Sequence, residues 1–168
     1  KVFEHNDIDI DEYLSEFYRV LKADAHCYIM CNNLNLPHFF DVISKSKFHF
    51  VKLLAWDKVR AICGRYYMGQ IEHIFMLRKG KDKPINDCGM SDLLSIPLQR
   101  DKDVNGNNIH DSQKPTKLFQ VLVSMSSYNG GIVLDPFMGS GSRRRWRVTQ
   151  MTRITRITRI FEHEQHIW

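Results

Sequence analysis

The sharpest chemical pattern in the chain is Asp135-Pro136-Phe137-Met138-Gly139-Ser140-Gly141, entered directly from the apolar run Ile132-Val133-Leu134. A loop leaving the carboxyl end of a strand is where open α/β sheets bind ligands. Glycines there let the backbone come close to a ligand that a Cβ would hold off. Asp135 offers an acceptor for a cationic ligand group. No Lys-Ser/Thr pair follows the glycines, which argues against a phosphate-cradling nucleotide loop. Taken alone, Gly139-Ser140-Gly141 equally fits an ordinary tight turn. Cys27 and Cys31 would share one face of a strand, as a metal-ligand pair would, but no second pair accompanies them. The eight histidines lack a His-x-x-x-His spacing. Buried packing is therefore expected for the two thiols, solvated or packed rings for His26, His38 and His49, and no metal.

The elements that must position this loop follow from periodicity. Asp9 can cap a helix carrying Leu14, Phe17, Tyr18 and Leu21 at i, i+3, i+4 and i+7, with Glu12 placed for a capping box. Cys27-Tyr28-Ile29-Met30-Cys31 reads as a buried strand ended by Asn32-Asn33. Pro37 starts a short helix with Phe39, Phe40 and Ile43 on its apolar side. Residues 48–56 and 71–78 read as further strands. Lys79 to Asn108 is charged, holds Pro84, Gly89, Pro97 and Gly106, and keeps no period, as a long surface excursion does. Pro115 opens a helix with Leu118, Val121, Leu122 and Met125 on one face, and Asn129-Gly130-Gly131 ends it before the strand Ile132-Val133-Leu134. Helices alternating with apolar strands predict an α/β sheet covered on both faces.

The 168 residues fit one domain with a real core, and 43% apolar with 26% charged residues is ordinary for a soluble globular chain. No apolar run approaches the length of a membrane span, no basic-then-apolar leader opens the sequence, and the four cysteines are too few for a disulfide framework. A cytoplasmic protein with reduced thiols is expected. The net charge of +5 is local: seven arginines after Ser142, opposed by Glu162 and Glu164, account for all of it. Residues 1–142 are neutral, so overall basicity says little about the folded body's partner. Thr-Arg-Ile occurs three times from Thr152 to Ile160, a period matching neither strand nor helix.

His110-Asp111-Ser112-Gln113-Lys114-Pro115, then an amphipathic helix, then Val133-Leu134-Asp135-Pro136-Phe137 and Gly139-Ser140-Gly141 together resemble the DNA amino-methyltransferases. These methylate adenine N6 or cytosine N4. The order is similar to the permuted subclass in which the catalytic half precedes the cofactor half. Upstream, Phe17 to Lys22, Leu54-Ala55-Trp56-Asp57-Lys58 and Glu72 to Gly80 are similar to further family segments. The resemblance implies a partial Rossmann-like sheet flanked by helices, with S-adenosylmethionine as cofactor. It places Lys114, Pro115, Asp135, Pro136, Phe137, Gly139, Ser140 and Gly141 at the cofactor, Asp135 near its amino group. It also implies a methyltransferase domain over residues 1–142, a target-recognition-like segment near 80–109 and an unrelated basic tail over 143–168.

Double-stranded DNA is the implied partner, as in restriction-modification, with Trp56, Lys58, Lys79, Lys81 and Lys83 as candidate contacts. Basic side chains there would bind phosphates, and Trp56, with Lys58 and Arg60, would face the DNA backbone or a base taken out of the duplex; strand-end core packing is the alternative for Trp56. The family's catalytic tetrapeptide, Asp/Asn/Ser-Pro-Pro-Tyr/Phe/Trp, occurs nowhere in the 168 residues. In the permuted order it would precede Lys1, and downstream of Gly141 the arginine-rich tail stands where the family continues into a helix and an acid-ended strand. The expectation is thus a fragment of a DNA methyltransferase with part of a cofactor pocket, no catalytic residues and no transfer activity alone. Its rivals are a non-catalytic DNA- or partner-binding relic, and a methyltransferase acting on RNA or protein.

Overall fold

Asp9 begins the described chain by capping a helix, its carboxylate accepting the Asp11 N–H at 3.5 Å. The computed structural model describes residues 9–62, 64–99, 102, 104–107 and 113–137, with the backbone of Gln150–Met151. Two compact units divide the chain, one of Ile8–Pro97 and one of Lys1–Asp7 with Leu98–Trp168. The division falls inside the segment grouped above as one domain.

In the first unit, α1 spans Ile10–Val20, β1 Ala25–Cys31, α2 Leu36–Lys45, β2 His49–Ile62, β3 Gly69–Lys79 and β4 Leu93–Ser95. The sheet order is β1-β3-β2-β4, with β3 antiparallel to both neighbours and β4 parallel to β2. Ile74 to Leu77 on central β3 are buried in succession, so both faces of the sheet are closed there. Phe75 meets α2 through the rings of Phe39 at 5.8 Å and Phe40 at 4.9 Å. On α1 the inward residues are Ile10, Tyr13 and Leu14. Phe17, Tyr18 and Leu21 of the expected stripe are only half-buried, because the helix turns its first two turns inward. On α2, Val42 is buried with Phe39 and Ile43, whereas Phe40 lies partly exposed between Phe50 and Phe75.

Two strands of this unit depart from the sequence reading. The excursion after Lys79 contains β4, held by Ala55 N–H donating to Asp92 O (2.9 Å) and Ile96 N–H to Asp57 O (3.0 Å). Three residues are too few for a period to reveal. Strand β2 also runs six residues beyond Trp56, and its register slips between Asp57↔Ile71 and Ile62↔Gly69, leaving an extended bulge.

In the second unit, α3 spans Thr116–Ser126, β5 Ile132–Val133 and β6 Gln150–Met151, with β5 and β6 parallel. Pro115 supplies the N-cap position, and its carbonyl accepts the Leu118 N–H at 3.0 Å. Leu118 and Leu122 form the buried side of α3, with Val121 and Met125 half-buried. A turn closed by Gly131 N–H on Tyr128 O (2.9 Å) joins α3 to β5. Gly130 takes φ +80° at its third position, where a side chain would be strained. The pairing of Gln150–Met151 puts a strand in the tail, where no element was expected; the Thr-Arg-Ile repeats lie outside the described residues.

Candidate functional site

Strand β5 delivers the chain to Leu134 and Asp135, and a turn follows at Pro136-Phe137. Asp135 is half-buried, and its Oδ1 accepts the Phe137 N–H at 3.1 Å. The aspartate thus folds back on its own loop, which fixes the carboxylate at the strand exit. A fixed, half-buried carboxylate suits an ammonium partner, since charge-assisted hydrogen bonds strengthen as water is excluded. Pro136 and Phe137 are half-buried beside it. Gly139, Ser140 and Gly141 lie outside the described residues, as do His110, Asp111 and Ser112. Gln113 and Pro115 are buried and Lys114 half-buried at the entry to α3.

The five candidate DNA contacts separate into two groups. Trp56 is 0% exposed and donates its indole N–H to Ile96 O at 2.8 Å. Its ring fills the sheet core, so it presents no surface to a base or to the DNA backbone. Lys58 is 12% exposed, ion-paired to Glu72 at 2.9 Å and 5.8 Å from the Trp56 ring centroid. Lys79 donates to Tyr18 O and Leu21 O, both at 2.7 Å, and lies 4.7 Å from the Tyr18 ring centroid. It satisfies the carbonyl end of α1, where a cation also complements the helix dipole. Lys81 and Lys83 are exposed on a stretch whose backbone is anchored. Lys81 N–H donates to Asp24 at 2.8 Å, and Lys83 O lies 2.9 Å from the His26 ring nitrogen. Gly80 permits this path at φ +82°, since a Cβ there would meet the Asp24 carboxylate at 2.6 Å.

Asp57 is a junction that residue types alone do not reveal. Its carboxylate accepts the Gln70 amide at 2.8 Å, the Val59 N–H at 2.7 Å and the Ser95 hydroxyl at 3.3 Å. The Gln70 and Val59 bonds hold its pKa below the ordinary carboxylate range. Asp9, Asp11 and His38 bring three ligand-type atoms within 4.8 Å of one another on an exposed surface. His38 lies 2.5 Å from Asp9 and so ties α2 to the start of α1. Burial pushes the Cys27 thiol up to about 12 and Cys31 to about 11, so both stay protonated at neutral pH.

Among known proteins, the DNA methylase family of N6/N4 type matches residues 7–144. Type II methyltransferase M.HpaI of Haemophilus parainfluenzae is 27% identical over 154 residues, spanning 78% of this chain and 48% of its own length. DNA adenine methyltransferase YhdJ of Escherichia coli K12 is 28% identical over 160 residues, spanning 77% of this chain and 54% of its own. The chain thus spans about half the length of these curated relatives. The M1.HpyAVI–SAM complex shares the fold at TM-score 0.65 and 22% identity, over 79% of this chain and 67% of that one. The architecture is therefore a partial Rossmann-like methyltransferase sheet flanked by helices, and S-adenosylmethionine is the methyl donor of the family. With 138 contiguous residues matched, from the start of α1 to just beyond the Asp135 loop, this chain belongs to the DNA methylase family.

Proposed function

We propose that this chain carries the cofactor loop of a site-specific methyltransferase that moves a methyl group from S-adenosylmethionine to the exocyclic amine of adenine or cytosine in double-stranded DNA. The observation that carries the reading is the Asp135 carboxylate, held at the exit of β5 by the Phe137 N–H. It would accept the cofactor's ammonium, with Phe137 and Pro136 as an apolar wall and Gly139, Ser140 and Gly141 allowing close backbone approach. Lys114 and Pro115, leading into α3, would complete the cofactor side. When bound, S-adenosylmethionine supplies an electrophilic sulfonium methyl. Lys81 and Lys83 would hold the DNA by its phosphates, which fixes register without reading sequence. Trp56, Lys58 and Lys79 would support this surface from within the fold. A DNA substrate would place the protein in the cytoplasm; separately, no helix among the described residues is long and apolar enough to cross a membrane.

The 168 residues hold no Pro-Pro tetrapeptide to bind the target amine, so binding without methyl transfer is expected of this chain alone. Calorimetric titration with S-adenosylmethionine tests the proposal. Saturable heat that Asp135→Ala weakens tenfold or more, the scale of a charged hydrogen bond, is the expected result. No heat at millimolar cofactor would overturn the proposal and favour a non-catalytic binding module.

A further inference from the structure

The β2–β3 hairpin carries a second surface that neither the cofactor loop nor the lysine stretch uses. From Lys58 to Ile71 the sequence has three basic residues, Lys58, Arg60 and Arg65, and no acidic one. Lys58 turns inward to Glu72, whereas Arg60 and Arg65 are exposed. At the tip, Tyr66 is 87% and Tyr67 93% exposed, with Met68 beside them, and the Arg65 guanidinium lies 5.8 Å from the Tyr66 ring centroid. Two neighbouring tyrosines this bare gain nothing from folding. The backbone beneath them is nonetheless closely specified. Gly64 passes so near Tyr67 O that a Cβ would sit 2.0 Å from it. Val59, a β-branched residue, is held at φ +64° with its N–H on Asp57, which also ties Gln70 across the hairpin. Strain of this kind persists only where the surroundings impose it, and it clusters at functional segments. The bulge after Asp57 turns Val59, Arg60 and Ala61 out to solvent.

Resting on the proposed DNA substrate, we infer that this hairpin is a nucleic-acid arm: Arg60 and Arg65 engage phosphates, and the Tyr66 and Tyr67 rings stack on bases that unpair around the target site. Exposed aromatic rings beside arginines, with no carboxylate between them, match both the charge and the flat apolar faces of an opened duplex. A base whose amine is to be methylated must leave the stack, and its departure exposes such faces.

Fluorescence anisotropy of the full chain on a labelled duplex, with and without one mismatched pair, tests the arm. The double variant Tyr66→Ala/Tyr67→Ala should weaken binding roughly tenfold or more, most on the mismatched duplex, with the salt slope unchanged. Arg60→Gln/Arg65→Gln should lower the slope of log affinity against log salt by about two. Lys45→Gln on α2 serves as a surface control. Wild-type affinity and slope in both double variants would overturn the inference, as would a wild-type chain that binds neither duplex. S-adenosylmethionine titrations on the same samples separate the two readings: cofactor heat that persists while the hairpin variants lose nothing sinks the arm alone, and a wild-type chain without cofactor heat sinks the proposed cofactor loop.

Discussion

Lys79 shows how far a side chain's role depends on neighbours distant in sequence. Its ammonium bonds carbonyls 58 and 61 residues earlier, at the end of α1. Lys79→Met should therefore destabilise the chain by about 1.5–3 kcal/mol, the scale of hydrogen bonds to a charged group, and leave the salt dependence of DNA binding unchanged. Urea denaturation beside anisotropy would check both; an unchanged midpoint with a reduced salt slope would restore Lys79 as a phosphate contact. Trp56 is similar, since the carbonyl that receives its indole N–H belongs to Ile96, forty residues on. Val59 leads to a prediction of opposite sign. Its side chain is mostly exposed and its φ is +64°, so Val59→Asn, which tolerates that conformation, should raise stability by about 1 kcal/mol. An unchanged or lowered urea midpoint would show that the turn carries no strain. The place of Asp135 at a strand exit was legible because it depends on a local pattern. Core packing of Trp56 was one of two readings open in the sequence, but its Ile96 partner and the roles of Lys79 and Val59 were not legible, because each depends on a distant partner or a backbone twist that no local pattern encodes.

Among the elements, the pairing of α1 with α2 has a pH signature. Asp9 raises the His38 pKa, chiefly by hydrogen bonding, and His38 lowers that of Asp9. A histidine raised on folding stabilises fully below its unfolded value and loses that contribution as pH rises through the folded one. A carboxylate lowered on folding stabilises above its unfolded value and loses it as pH falls through the folded one. The pair therefore helps most between about pH 4 and 6.5, and screening by salt at this exposed site keeps the effect modest. His38→Gln should flatten the fall in Tm from pH 6 to 8, and a parallel fall in the variant would exclude the pair as its source. Helices that open on Asp9, Pro37 and Pro115 were readable from their caps and periods, as were the apolar strands β1 and β5. Strand β4 and the β2 bulge were not, since three residues carry no period and a register slip exists only against a partner strand. Nor does an apolar run reveal its direction, so the antiparallel placement of β3 between β1 and β2 emerged only from the fold.

At the scale of the whole molecule, a neutral body carries an α/β methyltransferase sheet, and the surplus positive charge lies beyond Ser142. DNA affinity residing in Lys81, Lys83 and the hairpin arm should survive replacement of the seven arginines after Ser142 by glutamine, apart from a lower non-specific component at low salt. Anisotropy on the substituted chain would check this, and complete loss of binding would assign the affinity to the arginine-rich tail. The family match runs from residue 7 to 144 and leaves out five of the seven tail arginines, so membership does not rest on the basic tail. The cofactor loop is the part of that order closest to chemistry. Its most direct test is ultraviolet crosslinking of radiolabelled S-adenosylmethionine to the chain, followed by tryptic mapping. Label in the peptide Leu118–Arg143, displaced by unlabelled cofactor and reduced by Asp135→Ala, is the expected result; label confined to other peptides, or none that unlabelled cofactor displaces, would contradict it.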